Sequence, residues 1–266
     1  MAVAPERERL LAAVECSPRA AAAHDREGWV GLFADDGRVE DPVGSRPHVG
    51  RERIGRFYDT FIGPRDITFH RDLDIVFGTA VLRDLELEVA MGSGVTMYIP
   101  AFLRYDLLEV NGDWRIGELR AYWELPAMMR QFLRTGPRAV PPGLQLSRGL
   151  LNNQRLSGAV GFIAAFRRVG ARHKQSVRAF LDAATAGDRD AAARALSPSA
   201  AITLGDHEVL DLAGLVEQLD GAGGTKMIGA GSTVVVSLTS ARGRAIIFAD
   251  MTWRPNAINR IRYFPA

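Results

Sequence analysis

The chain of 266 residues has a single cysteine, Cys16, so no intrachain disulfide can form and a reducing, cytoplasmic setting is expected. It has no apolar run approaching the roughly 18–20 residues that span a bilayer. The opening MAVAPERERLLAAV mixes acids with bases and holds no long apolar stretch, so a secretory signal is not expected. The histidines, at 24, 48, 70, 173 and 207, lack metal-ligand spacing and Cys16 has no partner, so neither a metal nor another cofactor is expected. Gly221-Ala222-Gly223-Gly224-Thr225-Lys226 lacks the Gly-Lys-Ser/Thr order of a phosphate loop. No nucleic-acid partner is expected. What is present is ample core material: 47% of residues are hydrophobic and 24% charged, which excludes a wholly disordered chain.

The formal charge of +2 conceals an asymmetry. Residues 1–127 hold 15 basic and 22 acidic side chains, residues 128–174 hold 9 basic and no acidic ones, and residues 175–266 hold 9 of each. The middle segment differs in kind from both flanks. With its prolines (Pro137, Pro141, Pro142) and glycines between short apolar pieces, it reads as a partly helical connector between a domain at 1–127 and a shorter one at 175–266.

Helical patterning runs from Pro5 to about Ala34, interrupted by Pro18 and by His24-Asp25-Arg26. After Asp35-Asp36-Gly37 a short strand, Arg38 to Asp41, ends at Pro42, and Ile54, Phe57, Tyr58 and Phe61 mark a helix over Glu52–Phe61. From Asp66 the period changes to two. Val81, Leu85, Leu87 and Val89 alternate with Leu82, Asp84, Glu86 and Glu88, which predicts a half-buried strand with the acids in solvent. Strand-like runs also cover Thr68–Phe77, Val95–Val110 and Trp114–Trp123, the last two joined by the hairpin signal Asn111-Gly112-Asp113. Helices followed by a curled antiparallel sheet define an α+β cone wrapped around a pocket. The third segment echoes the first: Val177, Phe180 and Leu181 lead into Gly187-Asp188-Arg189, and Ile258–Tyr263 parallels Ile116–Ala121. A second, degenerate copy of the cone is therefore expected. The position echoing Asp41 is Leu204, so no corresponding chemistry is expected there.

Phe33-Ala34-Asp35-Asp36-Gly37-Arg38-Val39-Glu40-Asp41-Pro42-Val43-Gly44-Ser45 and Gly50-Arg51-Glu52-Arg53-Ile54-Gly55-Arg56-Phe57-Tyr58 resemble the signature stretch of bacterial ketosteroid isomerases, within the wider SnoaL and nuclear-transport-factor-2-like fold. The similarity resumes at Arg104–Asp106 and Ala121-Tyr122-Trp123, and nothing comparable covers 128–266. In that family a carboxylate moves a proton from C4 to C6 of a 3-keto-Δ5-steroid through a dienolate. The resemblance implies that Asp41 is the base and that Asp106 is an acid kept protonated by an apolar site, donating to the dienolate oxygen. If Asp106 points inward, alternation puts Leu108 and Val110 beside it. Tyr58 matches a supporting tyrosine and Trp123 a pocket-wall aromatic. The family's main oxyanion tyrosine falls at Ser17 and a supporting one at Phe33, and no tyrosine precedes Tyr58. Losing one such donor costs about 10²–10³ in rate.

The expected function is thus a cofactor-independent steroid Δ-isomerase or a relative acting on a hydrophobic ketone. Two alternatives stand beside it: an epoxide hydrolase or cyclase of the same fold, with paired acids, and a non-catalytic ligand-binding module. A hydrophobic small molecule is the expected partner. The second copy is expected to replace a homodimer partner as an internal pseudo-dimer; the rival for the basic segment 128–174 is weak association with anionic membrane.

Overall fold

The computed structural model describes residues 4–91, 94–141, 143–144, 170–252 and 256–266. Most of the expected connector, including Leu146, Leu150, Leu151, Phe162, Ile163 and Phe166, lies outside them. The chain divides into two compact units, Met1–Phe166 and Arg167–Ala266. No helix among the described residues is long and apolar enough to cross a membrane.

The first unit opens with α1 (Ala4–Ala22), whose inward face is Leu10, Val14, Ser17, Pro18 and Ala21 at helical spacing. Pro18 does not interrupt the helix, contrary to its expectation as a breaker; it sits on the buried face, where packing outweighs one lost backbone hydrogen bond. The chain turns at His24 and restarts as α2 (Arg26–Gly31), capped by Asp25, whose carboxylate accepts from the Gly28 N–H at 2.8 Å. Next come β1 (Phe33–Glu40), β2 (His48–Val49), α3 (Arg51–Phe57) and a π-turn over Tyr58–Ile62. The four long strands are β3 (Asp66–Phe77), β4 (Ala80–Ala90), β5 (Thr96–Val110) and β6 (Asp113–Tyr122), and α4 (Leu125–Arg134) closes the series. Strand order is β2-β1-β6-β5-β4-β3, antiparallel except for the β1–β6 pair. The β5–β6 hairpin turns at Asn111 (φ 54°) and Gly112 (φ 86°), as the sequence signal requires.

Two details differ from the sequence pattern. The strand begins at Phe33, five residues early, because Asp35-Asp36-Gly37 forms an irregularity within β1 instead of a turn before it; a Cβ on Gly37 would stand 2.8 Å from the Ala34 carbonyl oxygen. In β4, burial covers both faces over Ala80–Leu85, and Asp84 is 2% exposed, so it is not a solvated acid. A bulge also interrupts β5–β6. Asp106 pairs with Glu118 and Leu107 with Ile116, leaving Gly117 as the extra residue.

The core of this unit lies between the helices and one sheet face, with Leu10, Trp29, Phe33, Val39, Phe57, Leu103, Tyr105 and Leu119 among its members. A second apolar cluster, Val89, Met91, Val95, Met97 and Ile99, packs with Met128 and Phe132 of α4.

The second unit repeats this plan as a six-stranded sheet. Its helices are α5 (Ala171–Thr185), α6 (Arg189–Arg194) and α7 (Leu212–Leu219), and its strands are β7 (Leu196–Leu204), β8 (Glu208–Val209), β9 (Gly223–Ala230), β10 (Thr233–Ser240), β11 (Gly243–Met251) and β12 (Ile258–Pro265). Strand order is β8-β7-β12-β11-β10-β9, the same topology, again with one parallel pair, β7–β12. Asp188 caps α6 with φ −81° and ψ 88°, against −82° and 89° for Asp25. The irregularities recur as well: Met251 pairs with Ile258 and Asp250 with Arg260, leaving Asn259 where Gly117 stands in the first unit. The expected α+β double cone is the observed architecture.

Candidate functional site

Asp41 lies one residue beyond β1. Val39 pairs with Leu119 and Glu40 with Arg120, and the Val43 N–H donates to the Ala121 carbonyl at 2.8 Å. Side chains two apart share a face, so Asp41 and Trp123 continue the core-facing rows of Val39 and of Leu119 and Ala121. There Trp123 Nε1 donates to Asp41 Oδ1 at 2.6 Å. Burial raises the Asp41 carboxyl from 3.8 to about 6, against the opposing pull of the indole hydrogen bond. The Asp41–Pro42 peptide is cis. The neighbouring Glu40 is engaged differently, accepting from the Gly44 N–H at 2.8 Å. Trp123 packs against both apolar clusters of the unit, so the Asp41 carboxylate is set where they meet. A carboxyl with a pKa near 6 can both take and return a proton at neutral pH.

The remaining expected residues gather around Trp29, which is 2% exposed. Ser17 accepts from its indole N–H at 3.2 Å, Phe33 lies 4.9 Å from it between ring centroids, and Tyr58 lies 5.5 Å away. Phe33 is a fully buried core side chain. The Tyr58 hydroxyl is buried with no hydrogen-bond partner among the described residues, and burial, then the charges of Asp25 and Asp59, raise its pKa.

Asp106 corrects the expectation. Ala101, Leu103, Tyr105 and Leu107 are the core-facing members of β5, which puts Asp106 on the opposite face. Arg104 donates to both oxygens of its carboxylate, Nη2 to Oδ1 at 2.6 Å and Nε to each oxygen at 3.0 Å, and Arg120 stands 3.7 Å away. Leu108 and Val110, its expected apolar companions, are 48% and 40% exposed. Asp106 is therefore an ion-pair residue on the face away from the core, not an acid set in an apolar site.

Three further residues, to which the sequence pattern assigns no role, belong to this unit's interior. Tyr105, 1% exposed, faces the core where Asp106 was expected, and its phenol is hydrogen-bonded with Ser17. Arg83, 2% exposed, occupies the core face of β4, gripped by both Asp74 oxygens at 2.8 and 3.0 Å and by Glu15 of α1 at 3.0 Å. Burial raises the Tyr105 pKa, while Arg83 and Ser17 draw it back. The alternation that places Val81 and Leu85 inward places Arg83 inward too, so this signal was legible. His48, opposite Val39, packs on Phe57 at 5.1 Å; burial, then Arg53, Arg56 and Arg46, lower its pKa to about 4, so it is neutral at pH 7. No group of three metal-ligating side chains occurs among the described residues.

Residues 10–131 match the family model of the nuclear transport factor 2 (NTF2) domain. Through its first unit the chain belongs to that family. Three solved structures illustrate the likeness. RV0760c from Mycobacterium tuberculosis, solved in complex with estradiol-17beta-hemisuccinate, is 30% identical; the match covers 44% of this chain and 95% of that one, with a TM-score of 0.41. A Δ5-3-ketosteroid isomerase from Mycobacterium sp. is 30% identical, covering 45% and 96%, with a TM-score of 0.41. An epoxide hydrolase from M. tuberculosis, described as LEH-like, is 21% identical, covering 51% and 97%, with a TM-score of 0.42.

Proposed function

We propose that the first unit is an isomerase of the steroid Δ-isomerase type, moving a carbon–carbon double bond in a hydrophobic ketone. The observation that carries this reading is the half-buried Asp41 carboxyl, held by Trp123 beside apolar side chains and raised to about 6. In the reaction, an Asp41 oxygen takes the proton from the carbon between the carbonyl and the double bond. The C–H pair forms a new double bond to the carbonyl carbon, and the carbonyl π pair moves onto oxygen, giving a dienolate. The same carboxyl then returns the proton to the far end of the diene, C6 of a 3-keto-Δ5-steroid. The carbonyl reforms, the product is the conjugated enone, and Asp41 is again ionised. No atom is gained or lost, so this sequence of steps calls for no co-reactant.

An epoxide-opening reaction requires a second acid beside the first, whereas the partner bonded to Asp41 is an indole. The test is turnover of a 3-keto-Δ5-steroid, followed by the ultraviolet absorbance of the conjugated enone. The expected result is catalysis that falls by about 10²–10⁴ in Asp41→Asn. Unimpaired turnover in that variant would remove Asp41 as the base.

A further inference from the structure

We infer that Tyr105 is the catalytic residue that takes the negative charge developing on the ligand's carbonyl oxygen, and that Arg83 is the residue that positions it. This rests on the reading of Asp41 as the base.

The first observation is placement. Tyr105 pairs with Leu119, which pairs with Val39, and the next core-facing row runs Asp74, Arg83, Leu103, Ala121 towards Asp41. At strand spacings of about 4.8 Å and about 3.3 Å per residue, the backbones of Tyr105 and Asp41 lie about 10 Å apart across the sheet and about 7 Å along it. Both side chains project from the same face, and a tyrosine is long enough to close much of that gap. What remains suits the few atoms that separate a carbonyl oxygen from its acidic carbon.

The second observation is the electrostatic setting of the phenol. A guanidinium is costly to bury, yet Arg83 is 2% exposed on the core face, held in place by Asp74 and Glu15. Arg83 acts on the Tyr105 phenol from one side, and Ser17, anchored by the Trp29 indole, hydrogen-bonds to it. Both favour negative charge at or next to the phenol oxygen, and so offset part of the opposition that burial and the carboxylates of Asp74 and Glu15 present to charge there. The serine that stands where the family's tyrosine is expected is thus part of a relay: α1 supplies a support, and β5 supplies the phenol. A proton stays on Tyr105 throughout; the residue shares it with the dienolate oxygen and releases no atom.

The experiment uses the full chain. Tyr105→Phe keeps the ring and its packing while removing the hydroxyl. It is expected to lower kcat for the β,γ-unsaturated ketosteroid by about 10²–10³ with little change in KM. A second readout needs no turnover. 2-Naphthol, neutral when free at pH 7, is bound to the Asp41→Asn protein and its naphtholate absorbance is recorded. A naphtholate band that disappears on adding Tyr105→Phe supports the assignment. Arg83→Met is expected to diminish the band and Arg83→Lys to restore part of it. Turnover within about threefold of the parent in Tyr105→Phe, together with an unchanged naphtholate band, would overturn the proposal. Should Asp41→Asn fail to slow turnover while the band still depends on Tyr105, the base assignment fails and the Tyr105 assignment stands.

Discussion

The Trp123 indole nitrogen lies 2.6 Å from a carboxylate oxygen of Asp41, across 82 residues of chain, and it opposes the effect of burial on that carboxyl. Removing the indole N–H while keeping an aromatic ring therefore raises the Asp41 pKa above its value of about 6. In Trp123→Phe the acid limb of the kcat/KM–pH profile is expected to move to higher pH, leaving less active base at pH 6–7. A limb that stays in place would show that the hydrogen bond does not tune the carboxyl.

The same burial has a stability consequence of unusual sign for an aspartate. Because the folded-state pKa lies above the ordinary value of 3.8, the native state binds more protons than the unfolded state between pH 4 and 6. Stability from this group is present at acid pH and is lost as pH rises through about 6, by at most about 3 kcal/mol for a shift of this size. Asp41→Asn is thus expected to raise stability at pH 7–8 and to lose that advantage below pH 4, as read by urea denaturation at both pH values. An equal effect at both would show that the carboxyl is not strained by burial.

Asp106→Asn separates the two faces of β5. An ion-pair residue on the face away from the core should leave turnover within a few-fold of the parent. Loss of the carboxylate leaves Arg104, 5% exposed, without its bidentate partner, at a stability cost of about 1–3 kcal/mol. A loss of turnover near 10²–10³ without unfolding would restore Asp106 to the reaction.

Ser17→Tyr is expected to destabilise the protein by about 1–3 kcal/mol and not to improve turnover, because Ser17 is 3% exposed and already touches Trp29 and Tyr105. Faster turnover in a normally stable Ser17→Tyr protein would show that space and need for a second phenol both exist.

The matching caps give a paired prediction. Asp25→Ala and Asp188→Ala each remove one hydrogen bond to a helix N-terminus, and each should cost about 1 kcal/mol in chemical denaturation. Values that differ widely would mean that the equal backbone angles hide unequal roles.

What was legible in the sequence follows from short-range rules. The Asn111-Gly112 turn needs only positive φ at two residues, and the second cone announces itself because Asp25 and Asp188, or Ile116 and Ile258, carry the same local duty in both units. Asp41 and Trp123 stand out through the family signature, and their side chains are hydrogen-bonded. The face of Asp106 was not legible, because β5 is buried on both sides around Phe102 (1% exposed) and Leu103 (6%), so hydrophobicity alone allows either phase. Pro18 and Asp84 were misread for a related reason: local preference and polarity were overruled by tertiary burial.

The extra residue at Gly117 works as a parity switch. Counting by twos from Ile116 would bring Glu118, Arg120 and Tyr122 to the core, yet Leu119 and Ala121 are there instead. One uncounted residue exchanges the whole inward row of β6, and with it the identity of the side chain that meets Asp41. Had the ladder run unbroken, a charged and phenolic row would have lined that wall and the Trp123 indole would have turned away. The second unit has the same switch at Asn259 with Leu204 where Asp41 would stand, so the scaffold that sets the inward row does not depend on the carboxylate.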